Sequence, residues 1–307
     1  MKELWTEKYR PRRVSEYVFR DESQRKLIMS WIKDQSIPHL LLSGSPGIGK
    51  TTLSKVLLNE IGIPDYDILE VNASRETGID FIRDTIVPFI SMIPFGPFKV
   101  VILDEADRLS QQGQDSLKGI IEEYSAHARF ILTCNTPSRI LPPLHSRLQQ
   151  QHFAAIDQTE FTARAATILV EEEIDFELET LDLYVKAVYP DLRKCLNLLQ
   201  QNSSEGHLAE PKSVDSGISD YKVDMVSLFK QGRILEARKL LCSRARPDEM
   251  ESIYRWMYDN IDLFGSDETT KDTALLIIKQ GLVDHSIIAD PEINLAATLV
   301  KLARLQN

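Results

Sequence analysis

A chain of 307 residues, 43% hydrophobic and 27% charged, has room for two or three cores and the make-up of an ordinary globular protein. Its net charge of −10 excludes a surface coated in basic residues, although local basic patches still decide phosphate contact. Met1-Lys2-Glu3-Leu4-Trp5 is no signal peptide, and no apolar run reaches transmembrane length, so no membrane partner is expected. Cys134, Cys195 and Cys242 stand apart without zinc or disulfide spacing, which points to a reducing compartment.

Up to about residue 156, strand and helix signals alternate, as they do in a doubly wound α/β domain. The first predicted strand, His39–Ser43, enters Gly44-Ser45-Pro46-Gly47-Ile48-Gly49-Lys50-Thr51-Thr52, and a predicted helix follows over Thr51–Ile61. This is a phosphate-binding loop in its strand–loop–helix context. The glycines let successive N–H groups converge on phosphate oxygens, and the helix aims its positive end at the same anion. Lys50 brings a mobile charge for the β- and γ-phosphates, and the Thr51 hydroxyl suits Mg²⁺. The ligands expected are therefore a nucleoside triphosphate and Mg²⁺.

A strand is expected over Ile68–Asn72 and a helix over Ile79–Ser91. The stretch Ile90–Phe98 is unusually apolar for a helix exit: it is either buried in the core or turned toward a partner. The next strand, Lys99–Leu103, runs into Asp104-Glu105-Ala106-Asp107. Acids at the carboxyl end of a buried parallel strand lie beside the phosphate loop; Asp104 would hold Mg²⁺ and Glu105 would orient the attacking water. The letters D-E-A-D also occur in RNA helicases, but the rest of the chain is too short and too helical for a second RecA-like domain.

A helix over Gln112–Tyr124 and a strand over Arg129–Thr133 lead to Asn135. Asn135 either reaches the γ-phosphate and the lytic water or forms a turn before Thr136-Pro137. Arg147 closes Pro142-Pro143-Leu144-His145-Ser146-Arg147, where an arginine can reach a neighbouring subunit's nucleotide. The last predicted strand is Gln151–Ala154. Three amphipathic helices follow, over Thr159–Glu172, Leu178–Val188 and Leu192–Gln201, with Arg193 at the start of the third, where it could contact phosphates in cis. Residues 201–219 read as a linker, and from Tyr221 the pattern is helical, with breaks near Gly232, Pro247, Gly265, Gly281 and Pro291. The expected domains are 1–156 (α/β), 157–218 (helical lid with linker) and 219–307 (all-α).

With these residues in place, Trp5-Thr6-Glu7-Lys8-Tyr9-Arg10-Pro11 resembles the W-x-E-K-Y-R-P signature of clamp-loader ATPases, the replication factor C small-subunit family. Ile37-Pro38-His39, Asn72-Ala73-Ser74 with Gly78-Ile79-Asp80, the D-E-A-D box, Ser146-Arg147, and Leu192-Arg193 with Leu196-Asn197 match the same family in the same order. The helical end resembles its collar, and the short chain also suits the large subunit of a phage clamp loader. Departures are Leu148 in place of the cysteine after Ser146-Arg147, Pro190 for the usual glycine, and Arg75-Glu76-Thr77 where relatives place an acid and then an arginine.

The resemblance implies an AAA+ module, with a parallel sheet of order 5-1-4-3-2, a three-helix lid and a collar closing a five-subunit ring. That ring would hold copies of this chain and a second clamp-loader subunit. ATP binding would open a sliding clamp for placement on primer–template DNA, and DNA-triggered hydrolysis would release it. Lys50, Thr51, Asp104, Glu105, Asn135 and Arg193 would form the cis site and Arg147 would act in trans, while Tyr9, Arg10 and Pro11 would border the adenine. Arg75, Arg83, Arg108 and Lys118 are candidates for DNA phosphates, although each taken alone reads first as a solvated charge, and Ile93 and Phe95 would face the clamp. The setting implied is cytoplasmic, in the host if the chain is viral, or nuclear if it is eukaryotic. The competing functions are another AAA+ DNA motor, such as a branch-migration motor, and a scaffold subunit that binds ATP without hydrolysing it.

Overall fold

The computed structural model describes residues 3–74, 78–204, 206–210, 221–244, 249–265 and 267–305. The chain divides into two compact units: residues 1–165 with 190–196, and residues 166–189 with 197–307.

The first unit runs α1 (Trp5–Lys8), α2 (Glu22–Lys33), β1 (Leu40–Gly44), α3 (Lys50–Ile61), β2 (Ile68–Asn72), α4 (Ile79–Phe81) and α5 (Val87–Ser91). It continues through β3 (Lys99–Asp104), α6 (Gln111–Glu123), β4 (Ala128–Cys134), α7 (Pro142–His145) and β5 (Gln149–Phe153) into the start of α8 (Gln158–Glu171). The strands form one parallel sheet of order β2-β3-β4-β1-β5, the 5-1-4-3-2 order expected. Alternation along the strands builds two cores. Leu41, Val101, Leu103, Phe130 and Leu132 pack with Ile82, Ile86, Ile90, Leu117 and Ile121. Leu40, Leu42, Val100, Ile102 and Ile131 pack instead with Ile28, Trp31, Leu53, Leu57 and Ile61. Helices therefore cover both faces, as an all-parallel sheet requires.

The single helix expected over Ile79–Ser91 is interrupted by a wide π turn at Ile82–Ile86, between α4 and α5. Pro88 explains it: the ring lacks an N–H and would strike the carbonyl four residues back, and a π turn relieves both problems. The last strand begins at Gln149, two residues earlier than the pattern suggested, because its polar Gln149-Gln150-Gln151 pairs at the sheet edge with Leu40-Leu41-Leu42.

The second unit contains the rest of α8, α9 (Leu178–Val188), most of α10 (Leu192–Asn202), and a short hairpin of β6 (Ser203–Ser204) and β7 (His207–Leu208). The hairpin corrects the linker reading at its start; residues 211–220 lie outside the described residues. Then come α11 (Tyr221–Lys230), α12 (Ile234–Arg244), α13 (Met250–Asp259), α14 (Glu268–His285) and α15 (Pro291–Ala303). Phe229 packs on Trp256 and Phe264, and the Trp256 indole donates to Lys186 O at 2.7 Å. The breaks at Gly232, Gly265 and Pro291 fall at helix ends, and that at Pro247 lies outside the described residues.

Gly281 breaks nothing. It sits inside α14, where a Cβ would fall 2.4 Å from Thr298 Oγ1 and 2.7 Å from the Tyr254 ring. The glycine is there for close helix contact, and its carbonyl accepts from Asn294 at 2.7 Å.

Candidate nucleotide-binding site

The loop between β1 and α3 turns on Gly44, Gly47 and Gly49, all at positive φ (147°, 75° and 91°). At Gly47 a Cβ would also fall 2.0 Å from Asp191 Oδ1, so a side chain there would strain the backbone and displace the Asp191 carboxylate. Asp191 Oδ1 accepts from Lys194 N–H at 2.9 Å and so caps the helix that carries Arg193. One carboxylate thus joins the phosphate loop to the first turn of α10. Arg193 is exposed, and its charge acts on Lys50.

Lys50 is 8% exposed and donates to Gly44 O (2.7 Å), Ser45 O (2.7 Å) and Asn135 Oδ1 (2.9 Å). All three acceptors are uncharged. Burial pulls its pKa down, and the more distant Cys134, Asp104 and Asp107 pull the other way. A half-dehydrated cation with neutral partners, at the head of a helix, suits an anionic phosphate. Asn135, the residue after β4, stands at this ammonium.

The acids lie at the end of β3. Asp104 Oδ1 accepts from Thr51 Oγ1 at 2.8 Å and from Thr133 Oγ1 at 2.5 Å. Glu105 adopts φ 55°, donates its N–H to Thr133 Oγ1 at 3.2 Å, and pairs its carboxylate with Arg108 at 3.3 Å. Asp107 accepts from Thr136 N–H at 3.1 Å and keeps its other oxygen buried without a hydrogen bond. Thr51 and Asp104 offer one hydroxyl and one carboxylate side by side, a donor set that could hold Mg²⁺ together with nucleotide phosphates.

Other candidates are placed elsewhere. Arg147 is held by Glu122, through Nε (2.8 Å) and Nη2, and by Pro143 O (2.7 Å). Arg10 pairs with Glu7 at 3.1 Å and Tyr9 O accepts from Arg164 at 3.3 Å, whereas the N-terminal side chain set against the loop is Tyr17, whose hydroxyl donates to Gly49 O at 3.4 Å. Motif spacing drew attention to Tyr9 and passed over Tyr17. Thr133, Asp191 and Glu122 were also passed over: Asp191 carries a helix-capping signal, while Thr133 reads only as a strand residue.

Arg83 is exposed, Lys118 is half-buried on α6, and Arg75 lies outside the described residues. Ile93 and Phe95 are 88% and 82% exposed, whereas Ile90 and Phe98 at the two ends of the same stretch are buried. Tyr66, 80% exposed, brings its ring to 6.2 Å from that of Phe95.

The chain is similar to several known proteins. Residues 40–155 match the family model described as ATPase family associated with various cellular activities (AAA). The chain is 34% identical to the replication factor C small subunit of Sulfurisphaera tokodaii, over 98% of this chain and 95% of that protein. It is 32% identical to the replication factor C small subunit of Methanococcus maripaludis over the whole of both chains. Among solved structures, the RuvB Holliday junction branch migration motor of Thermotoga maritima is similar in fold, with a TM-score of 0.56 and 16% identity over 82% of this chain and 80% of that one.

Proposed function

The chain belongs to the replication factor C small-subunit family of AAA+ clamp-loader ATPases, and from that premise we propose that it is a Mg²⁺-dependent, ATP-hydrolysing motor subunit. ATP binding would let a five-subunit ring, built from copies of this chain and a second subunit type, open a sliding clamp and place it on primer–template DNA. DNA would then trigger hydrolysis and release. The observation that carries the reading is the meeting of Lys50 with Asn135, 85 positions apart, beside the Thr51–Asp104 hydrogen bond.

In this reading Lys50 and the loop N–H groups bind the β- and γ-phosphates. Thr51 and Asp104 hold the metal, Glu105 orients water, and Asn135 marks the γ-phosphate. Arg193 acts in cis and Arg147 in trans, with Tyr9, Arg10 and Pro11 at the adenine. Bound Mg²⁺ supplies charge neutralisation on the phosphate oxygens. Arg83, Arg108, Lys118 and Arg75 would track DNA phosphates, and Ile93 and Phe95 would meet the clamp. Residues 1–156, 157–218 and 219–307 would serve as ATPase domain, lid and collar, in the cytoplasm (the host's for a viral chain) or in the nucleus of a eukaryote. Among the described residues no helix is long and apolar enough to cross a membrane. The likeness to a branch-migration motor concerns fold alone, whereas the full-length match is to replication factor C small subunits.

The test is the ATPase rate with and without primed DNA and a clamp. Lys50→Ala should abolish nucleotide binding, because Lys50 neutralises ground-state phosphate charge. Glu105→Gln should bind nucleotide normally and not turn it over, because Glu105 serves the chemical step. Wild-type turnover by Glu105→Gln would remove Glu105 from the base role, and no stimulation by DNA and clamp would count against a loader.

A further inference from the structure

Thr133 lies in β4, two residues before Asn135, and is 1% exposed. Valine has nearly the same shape, fits a strand equally well and carries no polar atom to bury, so a hydroxyl here needs partners to offset its desolvation. Both partners are acids of the candidate site. Glu105 N–H can only donate, so Thr133 Oγ1 accepts there at 3.2 Å. The one hydroxyl proton is then free for Asp104 Oδ1 at 2.5 Å. Thr51 Oγ1 donates to the same oxygen at 2.8 Å. Glu105 adopts φ 55°, a left-handed conformation uncommon for a residue with a Cβ. Its N–H bond to Thr133 and the bond from Arg108 N–H to its carbonyl at 2.9 Å together pin that conformation.

We propose that Thr133 is a positioning residue for both Asp104 and Glu105, orienting the metal-holding carboxylate with its proton and the backbone of the base with its lone pair. The inference rests on the roles given above to those two acids. It predicts that the hydroxyl, not the bulk, of residue 133 sets the rate of the chemical step.

The experiment compares Thr133→Val, Thr133→Ala and Thr133→Ser in assembled rings, by single-turnover ATP hydrolysis, by binding of a fluorescent ATP analogue with Mg²⁺ and with EDTA, and by thermal unfolding. Loss of a group that orients a metal ligand typically costs about 10- to 100-fold, and that is the expected fall in single-turnover rate for Val and Ala. The Mg²⁺ needed for half-maximal nucleotide binding should rise several-fold, while affinity in EDTA stays within about three-fold. Ser, which keeps the hydroxyl, should restore both measures. Ala removes the hydroxyl without a second branch, so the outcome does not depend on Val folding well.

A Val or Ala ring that hydrolyses within about three-fold of wild type overturns the proposal. So does a Ser ring as defective as Val, or a loss of EDTA affinity as large as the loss of rate, which would mark a merely structural residue. Glu105→Gln separates the two levels. If it turns over normally, the base assignment fails; if it is inactive while Thr133→Val is active, only the role of Thr133 fails.

Discussion

His39 and Lys50 flank β1, and burial pulls both toward the neutral form, with different consequences. At His39, Nδ1 accepts from Phe130 N–H at 3.2 Å, so this nitrogen carries no proton in the fold. Burial first, and the Arg129 guanidinium second, lower its pKa from 6.5 to about 4. The unfolded chain therefore takes up a proton that the fold refuses. The stability this confers is fully present above about pH 6.5 and drains away as pH falls toward 4. Solvent at the half-buried ring cuts the contribution to roughly 2 kcal/mol. His39→Asn keeps an acceptor for Phe130 N–H but cannot titrate, so its urea midpoint should fall less than that of wild type between pH 7 and 4.5. Parallel curves would show that His39 is not the group responsible. Lys50, by contrast, is lowered but retains three donors aimed at uncharged oxygens, and it is the phosphate that would restore its missing countercharge.

The loop after α5 is tied to a buried ion pair. Lys99 Nζ, on β3, meets Asp67 Oδ1 at 2.9 Å with both side chains buried, donates to Tyr66 O at 3.2 Å, and lies 4.7 Å from the Phe89 ring centre. Asp67 Oδ2 accepts from Gly96 N–H at 2.6 Å. Burial alone would push the Asp67 carboxyl up, but Lys99 and the N–H groups of Gly96 and Phe95 outweigh it and hold the group below its ordinary range. Lys99→Met strands a buried carboxylate and should cost about 3 kcal/mol or more in urea unfolding. Adding Asp67→Asn, which removes the charge but keeps an acceptor for Gly96, should return a large part of that loss. A double variant no better than the single would mean the pair's charge is not what matters. None of this was legible beforehand, since sequence shows an apolar loop and not the buried charges that shape it. What was legible follows the same logic: the buried stretch Val100–Leu103 of β3 reads as an unbroken apolar run, and Leu178–Val188 as a helix with one apolar face. The polar edge strand β5 and the π turn above Pro88 depend on neighbours and blurred the pattern. At the site, Gly47, Lys50, Thr51 and Asp104 announce themselves by spacing. Thr133 and Tyr17 do not, because their roles exist only once β4 and the N-terminal segment have been brought to the loop.

Taken whole, the lone chain places its metal-binding and base candidates together but turns Arg147 toward Glu122, Pro143 and Ser146, and among the described residues no hydrogen bond links that arginine to the phosphate loop. Leu276, Leu282, Val283, Ile287 and Ile293 on or beside α14 and α15 are exposed. In the ring proposed above, each arginine would serve its neighbour. Arg147→Ala should therefore leave ATP binding by the isolated chain nearly intact, yet reduce hydrolysis in the assembled ring by roughly 10³-fold or more, the scale of a cation that stabilises transition-state charge. Mixing gives the decisive comparison. A subunit lacking Arg147 retains its own ATP site, and a Lys50→Ala neighbour has no working site but still offers its arginine. Rings built from both should regain part of the activity that neither has alone. No recovery in rings shown by mass to be mixed, or an equal loss of turnover in the monomer, would place Arg147 in cis or make its pairing with Glu122 purely structural.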